Sequence, residues 1–119
     1  MVPSRKTQYY RFGRYQLDIA NRQLFKNDET IPLTQKSFDL LHFLIINRQR
    51  GLSKDEILNS IWKDSYVEEA NLAQHIYMIR KALGDTDNGC IETIPKYGYQ
   101  FKGEVVELFE EPLADSMEV

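Results

Sequence analysis

The feature that most constrains this sequence is a run of three amphipathic segments that leads into a hairpin pattern. The first segment begins at Thr34, a residue suited to capping a helix, and repeats apolar residues at three- and four-residue spacing up to Gly51. The second opens with Ser53 followed three residues later by Glu56, which is a capping box. The third runs from about Val67 to a glycine that is a natural stop. The sequence therefore predicts three helices.

Short strands are expected on both sides of these helices. Tyr9–Leu33 carries four groups of apolar residues, mostly at every second position and separated by turn signals, which predicts an antiparallel meander. After the third helix, Ile91–Ile94 and Tyr99–Gly103 are predicted strands, joined by a turn at Pro95–Gly98. A short helix, a polar turn, a longer helix and an immediate hairpin are the order found in a winged helix-turn-helix.

Length and charge indicate one folded domain between two polar ends. A chain of 119 residues has the size of a single domain. We expect a flexible N-terminus at residues 1–8, the folded domain at 9–103, and an acidic tail or the start of a linker at 104–119. The net charge is −3, but six of the 18 acidic residues and none of the 15 basic ones lie in that tail. The rest is weakly basic, so charge alone decides nothing about the ligand.

Several functional classes lack support in the sequence. Cys90 is the sole cysteine, which excludes an intramolecular disulfide and a cysteine cage for a metal. His42 and His75 have no ligand partner at useful spacing, and there is neither a glycine-rich phosphate loop nor a paired-carboxylate signature. We expect no enzymatic activity, no cofactor and no small-molecule substrate. No signal peptide and no apolar run of membrane-spanning length is present, so we expect a cytoplasmic protein.

The third helix has two contrasting faces. At 100° per residue, its Leu and Ile residues form one narrow stripe that is expected to be buried. Asn and Gln can donate to and accept from adenine edges, and small or apolar groups can contact thymine methyl groups. The opposite face therefore suits a DNA major groove, although an ordinary solvated face explains it equally well. That face and its flank carry Ala70, Asn71, Gln74, Tyr77, Met78 and Lys81.

Candidate phosphate contacts lie at the helix end and at the hairpin turn. Lys81 and Lys96 are placed for phosphate neutralisation, which supplies much of the affinity for DNA, although Lys96 at a turn tip also suits plain solvation. Tyr97 and Tyr99 lie on either side of a glycine, and we expect one to pack inward and the other to face a sugar-phosphate wall. Arg80 lies about 80° from the buried stripe, where it can either pair with an acidic neighbour or reach DNA, and we expect the structural pairing.

Together these motifs resemble the OmpR/PhoB-type winged-helix effector domain. The resemblance covers Leu33–Phe101, through the helix patterns LSKDEILNSIW and VEEANLAQHIYMIRKALG and the wing pattern IETIPKYGYQF. It implies an α+β fold: a winged helix-turn-helix with an N-terminal four-stranded antiparallel sheet, three helices and a C-terminal β-hairpin wing. It also implies sequence-specific binding of double-stranded DNA by a bacterial transcription regulator. The recognition helix, about residues 68–83, would enter the major groove, and the wing, 91–101, the minor groove.

The resemblance also implies DNA contacts and further partners. The loop at residues 63–67 resembles one that touches RNA polymerase in some members, and members dimerise on direct-repeat half-sites. The winged helix starts almost at Met1, which resembles the ToxR/CadC-like arrangement of an N-terminal cytoplasmic domain in a larger, membrane-anchored regulator. The contacts carried over are Trp62, Ala70, Asn71, Gln74, His75, Tyr77, Met78 and Lys81 from the helices, and Thr93, Lys96, Tyr97 and Tyr99 from the wing.

The exposed face of the predicted recognition helix departs from the family pattern. Members often carry several arginines there, whereas this chain has Ala70, Tyr77 and Met78 in such places, and Pro95-Lys96-Tyr97 where arginine is common in the wing. Both changes lower the expected electrostatic affinity for DNA. The alternative is therefore a winged-helix protein-interaction module that does not bind DNA.

Overall fold

A computed structural model describes residues 7–63, 65, 67–84 and 90–109. The elements alternate in the predicted order, with strands before and after three helices. They are β1 (Thr7–Phe12), β2 (Tyr15–Asp18), β3 (Gln23–Lys26), β4 (Glu29–Ile31), α1 (Gln35–Ile46), β5 (Leu52–Ser53), α2 (Lys54–Ile61), α3 (Glu69–Ala82), β6 (Ile91–Ile94), β7 (Gly98–Phe101) and β8 (Val106–Phe109).

The helices begin where the capping signals predicted. The Thr34 hydroxyl accepts a hydrogen bond from the backbone N–H of Ser37 at 3.1 Å, just before α1. At the start of α2, the Ser53 hydroxyl accepts from the N–H of Glu56 at 3.1 Å. The Glu56 carboxylate accepts the N–H of Ser53 in return, which completes the capping box. The start of α3 has no such side-chain cap, and Glu69 in its first turn faces the positive end of the helix dipole.

One core joins the helices to the first sheet. The stripe predicted on α3 is buried, with Leu72, Ile76 and Ile79 at most 1% exposed. α3 packs against α1. Complete burial of one such side chain contributes roughly 1.5–3 kcal/mol, so this stripe fixes which face of α3 points outward.

The first sheet has five strands, one more than predicted. Its order is β4-β3-β2-β1-β8, so the four leading strands are confirmed and β8 is added at the edge. β8 is antiparallel to β1, with Val106 opposite Arg11, and Glu107 forms an ion pair with Arg48 at 3.3 Å. Val105 also packs against the core, so the described fold continues past residue 103 to Phe109. Residues 1–6 and 110–119 of the predicted flexible ends lie outside the described residues.

The predicted hairpin of β6 and β7 is confirmed and belongs to a second, three-stranded sheet. Ile91 pairs with Phe101 at its base and Ile94 with Gly98 next to the turn. The short strand β5, which the sequence did not predict, pairs with β7 through Leu52 and Tyr99. Because β5 runs directly into α2, the hairpin is attached to the start of that helix.

Candidate nucleic-acid interface

The first half of α3 presents a polar and open surface. Ala70, Asn71 and Gln74 are all exposed, since the buried stripe of α3 lies on the other side of the helix. Together with Val67 and Glu68 they line a shallow depression of about 450 Å³. Amide groups at the floor of an open depression can reach donors and acceptors on a large, flat ligand such as a base-pair edge.

The second half of α3 is more apolar. Tyr77 is 57% exposed, and the Lys81 ammonium lies 6.0 Å from the centre of its ring, at the limit of a cation–π contact. Met78 is 40% exposed but turns to the flank, where it lines an apolar groove with Pro32 and Leu33. Of the predicted contacts on this half, Tyr77 and Lys81 therefore share a face with Gln74, whereas Met78 stands at its margin.

Trp62 and His75 form a pair at the junction of α2 and α3. Trp62 is 8% exposed, and its ring meets the His75 ring edge-on at 5.1 Å between centroids. Nδ1 of His75 lies 2.9 Å from the carbonyl oxygen of Asn71, a distance at which it donates its hydrogen. In the neutral ring this leaves Nε2 as an acceptor only, so a phosphate contact there requires the imidazolium form.

As expected, one of the two wing tyrosines is exposed and the other is buried, because Tyr97 lies in the turn and Tyr99 lies in β7. Tyr97 is 48% exposed in the turn, whereas Tyr99 is 7% exposed and packs in the core opposite Leu52. Thr93 and Lys96 are exposed on β6 and in the turn. Tyr99 and Trp62 are the predicted DNA contacts that have the least structural support, because both rings are buried in the core.

The wing turn is held in an unusual conformation. The N–H of Tyr97 donates to the carbonyl oxygen of Ile94 at 3.0 Å, which closes a tight turn. Lys96 has a φ of 61°, in the left-handed region that glycine adopts easily and other residues adopt at a cost of roughly 1–2 kcal/mol. The N–H of Lys54 donates to the carbonyl oxygen of Tyr97 at 2.9 Å, which fastens the turn to the start of α2.

Arg80 connects α3 to the wing. Its guanidinium donates to the carbonyl oxygen of Ile91 at 2.7 Å and to the hydroxyl of Thr93 at 2.9 Å. The structural pairing expected for this arginine is confirmed, although its partners are uncharged groups of β6 rather than an acidic residue.

Several basic side chains beside the wing are engaged by carboxylates. Arg50 binds Glu56 through two parallel hydrogen bonds, of 3.0 Å and 2.5 Å. The hydrogen bond raises the pKa of the Arg50 guanidinium and holds the pKa of Glu56 below its usual value. Lys54 lies 3.4 Å from a carboxylate oxygen of Glu69. The sequence reasoning did not single out Arg50 or Lys54, although a lysine at the first position of a capped helix was a usable signal.

Lys81 and Lys96 differ from these basic residues. Neither forms an ion pair with a carboxylate of the described residues. Both are exposed, one on α3 and one in the wing turn. Their ammonium groups are therefore the ones near this surface that can approach an anionic ligand without first breaking an ion pair.

Other predicted features fall at the edges of the described structure. In the loop at residues 63–67, Lys63 and Ser65 are exposed, whereas Asp64 and Tyr66 lie outside the described residues. Cys90 carries a half-buried thiol. Residues 7–63, 65, 67–84 and 90–109 contain no group of His, Cys, Asp and Glu side chains arranged to hold a metal ion. Within the same residues, none of the helices has the length and apolar character needed to cross a membrane.

Comparison with known proteins identifies related sequences. Residues 28–101 match the family described as "Transcriptional regulatory protein, C terminal". The transcriptional activator CadC of Escherichia coli is 32% identical over 104 residues, which are 85% of this chain and 20% of CadC. The phosphate regulon transcriptional regulatory protein PhoB of E. coli is 32% identical over 88 residues, which are 71% of this chain and 38% of PhoB. The chain thus spans well under half the length of these curated relatives.

Solved structures agree with the sequence matches. The DNA-binding domain of E. coli CadC superposes with a TM-score of 0.76 at 29% identity, covering 88% of this chain and all of that domain. The DNA-binding domain of Klebsiella pneumoniae RstA, solved in complex with the RstA box, has a TM-score of 0.70 at 25% identity. That match covers 80% of this chain and 97% of the RstA domain.

Proposed function

We propose that this chain, which belongs to the OmpR/PhoB-type family of transcriptional regulatory protein C-terminal domains, binds double-stranded DNA sequence-specifically as the effector domain of a transcription regulator. The relatives are transcription regulators, and RstA was solved bound to its DNA box. The observation in this chain that supports the proposal is the exposed amide face of α3, which Arg80 joins to strand β6 of the wing.

In the proposed complex, different side chains position the protein and read the sequence. Lys81 and Lys96 contact phosphates, which sets the register without reading bases. Asn71 and Gln74 form hydrogen bonds with base edges in the major groove. Tyr97 and Lys96 carry the wing into the adjacent minor groove. Contacts from Tyr77 and Ala70 with thymine methyl groups add apolar readout. Thr93, His75 and Met78 lie at the margin of the surface, with Trp62 and Tyr99 behind it.

Further partners follow from the proposed function. In the described parts of α3 and the wing, Lys81 and Lys96 are the two ammonium groups available for phosphate contacts, so we expect weak binding by one copy and tighter binding by a homodimer on direct-repeat half-sites. We place RNA polymerase at the loop of residues 63–67, where Lys63 and Ser65 are exposed. DNA binding in a bacterial regulator sets the domain in the cytoplasm, either free or as part of a membrane-anchored protein.

A second candidate function rests on the apolar part of the same surface. Tyr77, Met78 and Tyr97 are each at least 40% exposed, and Arg50 and Lys54 are engaged by carboxylates. Exposed aromatic and Met side chains are typical of surfaces that bind proteins. A winged-helix module for protein interaction would use these residues and would not need free positive charge.

The two functions separate in one experiment. Duplexes selected from a random pool by this domain, and scrambled versions of them, are titrated with the protein at two salt concentrations, with fluorescence anisotropy as the readout. DNA binding predicts a selected sequence, tighter binding to it than to scrambled DNA, and an affinity that falls with salt at a slope of about −0.9 per phosphate contacted. If the folded protein enriches no DNA sequence from the pool, even as a tandem-fused dimer, the result would instead favour the interaction module.

A further inference from the structure

We infer that Arg80 is a positioning residue for the wing: it orients the Thr93 hydroxyl toward a DNA phosphate and does not itself contact DNA. This inference rests on the proposed DNA binding. It concerns the contact between α3 and β6. Arg80 lies in the last turn of the helix, and its guanidinium reaches the strand.

The contacts of Arg80 keep its guanidinium at this joint. One nitrogen, Nη2, donates both to the carbonyl oxygen of Ile91 at 2.7 Å and to Oγ1 of Thr93 at 2.9 Å. Ile91 is 3% exposed and anchored in the core, so the first bond fixes the guanidinium against a rigid part of β6. The side chain of Arg80 is half-buried, whereas Lys81 next to it is exposed on the proposed DNA face. Arg80 is thus placed to hold the wing, whereas Lys81 is placed to contact DNA.

The hydrogen-bond chemistry assigns a direction to the Thr93 hydroxyl. A guanidinium has five N–H donors and no acceptor, so Thr93 must accept from Arg80. The hydroxyl then retains its own hydrogen, which points away from the guanidinium. Thr93 is exposed, so this hydrogen is available to a phosphate oxygen of bound DNA. A cation behind the hydroxyl polarises it and strengthens the bond that it donates.

The same contact fixes the wing relative to α3. The turn of the wing is fastened to α2 through the N–H of Lys54 and the carbonyl oxygen of Tyr97. Arg80 fastens the strand before the turn to the end of α3. With both attachments in place, the surface of α3 and the wing turn are held at one separation before DNA arrives. Such preorganisation improves affinity because less motion is frozen on binding.

A double-mutant cycle on the selected duplex tests whether Arg80 acts through Thr93. Wild type, Arg80→Met, Thr93→Val and the double variant are compared. We expect each single variant to lose about tenfold in affinity, the size of a charge-assisted hydrogen bond. The double variant should be no weaker than the weaker single variant, because both remove the same phosphate contact. Thr93→Ser, which keeps the hydroxyl, should bind within about twofold of wild type.

A direct phosphate contact by Arg80 predicts different results. The losses would then add to about a hundredfold in the double variant, and the salt slope of Arg80→Met would fall by nearly one. The matched control is Arg14→Gln, which removes an equal charge from an exposed residue between β1 and β2. A positioning role predicts that Arg80→Met changes the salt slope no more than this control. Additive losses with a reduced slope would overturn the inference and leave the proposed function intact.

Amide hydrogen exchange in the free protein provides a readout that needs no DNA. Loss of the Arg80 contacts should speed exchange in β6, while the amides of α3 that cover Leu72 and Ile76 stay protected. Unchanged exchange in β6 would show that the contacts do not hold the wing, and would overturn the inference. If Arg80→Met does not fold, comparing the DNA affinities of Thr93→Val and Thr93→Ser still tests the inference. Equal affinities would show that the Thr93 hydroxyl does not contact DNA. If wild type selects no DNA sequence, the proposed function itself fails.

Discussion

The two halves of the proposed interface, α3 and the wing, are built in different ways. The position of α3 is fixed by its buried face, which carries Leu72, Ile76 and Ile79. The residues on the exposed face are therefore not needed for packing. The wing is constrained at the surface itself. Lys96 adopts a left-handed conformation, and a Cβ atom added to Gly98 would lie 1.8 Å from the carbonyl oxygen of Leu52.

This contrast indicates where the domain can change its specificity and where it cannot. Substitutions on the outer face of α3 alter what is read while the fold is kept. Substitutions in the wing alter whether the wing is held at all, because β5 and α2 contact its backbone. A helix surface is therefore free to vary, whereas the turn of a crowded hairpin is not.

The largest expected effect is that of Gly98→Ala. The new methyl group overlaps the backbone of Leu52, so β5 and β7 must separate. We expect a loss of about 3 kcal/mol or more in the free energy of unfolding, measured by urea denaturation. Gly13→Ala is the matched control, because Gly13 has a φ of 62° and nothing within 4 Å of the added Cβ. It should lose only about 1–2 kcal/mol. Equal losses would show that crowding at the wing is tolerated.

On α3 we expect the reverse for Gln74→Ala. Gln74 is exposed and its loss leaves the buried stripe intact, so the free energy of unfolding should change by less than about 0.5 kcal/mol. Its amide is proposed to read a base, so binding to the selected duplex should weaken by about 1–3 kcal/mol and binding to scrambled DNA much less. Equal weakening on both duplexes, measured by anisotropy, would remove Gln74 from base recognition.

Sequence reasoning recovered what depends on local signals. Thr34 and Ser53 cap α1 and α2 as predicted, because a cap is a contact between residues three apart. The buried face of α3 followed from its spacing, since periodicity reports directly on which side faces the core. The outer face of α3 was therefore predictable as a surface, and the family resemblance supplied its proposed ligand.

Long-range contacts were not recoverable in this way. β8 pairs with β1, and Arg80 donates to β6, but neither partner lies at a fixed distance along the sequence. Acidic residues beside Val106 made the strand look like the start of a tail. Tyr97 and Tyr99 were expected to face opposite ways, but pairing with β5 was needed to decide which of them is buried. Sequence patterns thus miss contacts between distant segments, at the edge of the first sheet as well as in the wing.

Lys96→Gly should change stability and affinity in opposite directions. Glycine relieves the left-handed backbone but gains freedom in the unfolded chain, so we expect the free energy of unfolding to rise by about 0.5 kcal/mol. Loss of the ammonium group should weaken binding to selected and scrambled duplexes alike and reduce the salt slope by about one. Lys96→Asn also removes the charge, and asparagine tolerates this conformation better than lysine. If both variants lose stability, the turn is not strained.

The smallest effect concerns a histidine that belongs to neither half of the interface. His42 on α1 lies against Tyr10 and Phe38, with ring centroids 5.8 Å and 6.0 Å away. Burial lowers its pKa below the ordinary 6.5, the nearby Asp39 opposes this shift, and Arg22 adds to it. A lowered folded-state pKa means that the unfolded chain binds the proton more readily. The stabilisation from neutral His42 is therefore present above pH 6.5 and is lost as the pH falls through the folded-state pKa.

Urea denaturation between pH 8 and pH 5 should accordingly show a slightly lower free energy of unfolding at the acidic end, and His42→Gln should flatten that slope. Glu56 does not interfere, because its lowered pKa gives a stabilisation that is lost only below the ordinary 4.5. Since His42 contacts the sheet side of α1, the variant should leave the salt slope of DNA binding unchanged. An unaltered pH slope in His42→Gln would place the titrating group elsewhere. A changed salt slope would mean that a substitution on the inner side of α1 alters DNA binding, so that the core and the interface are coupled.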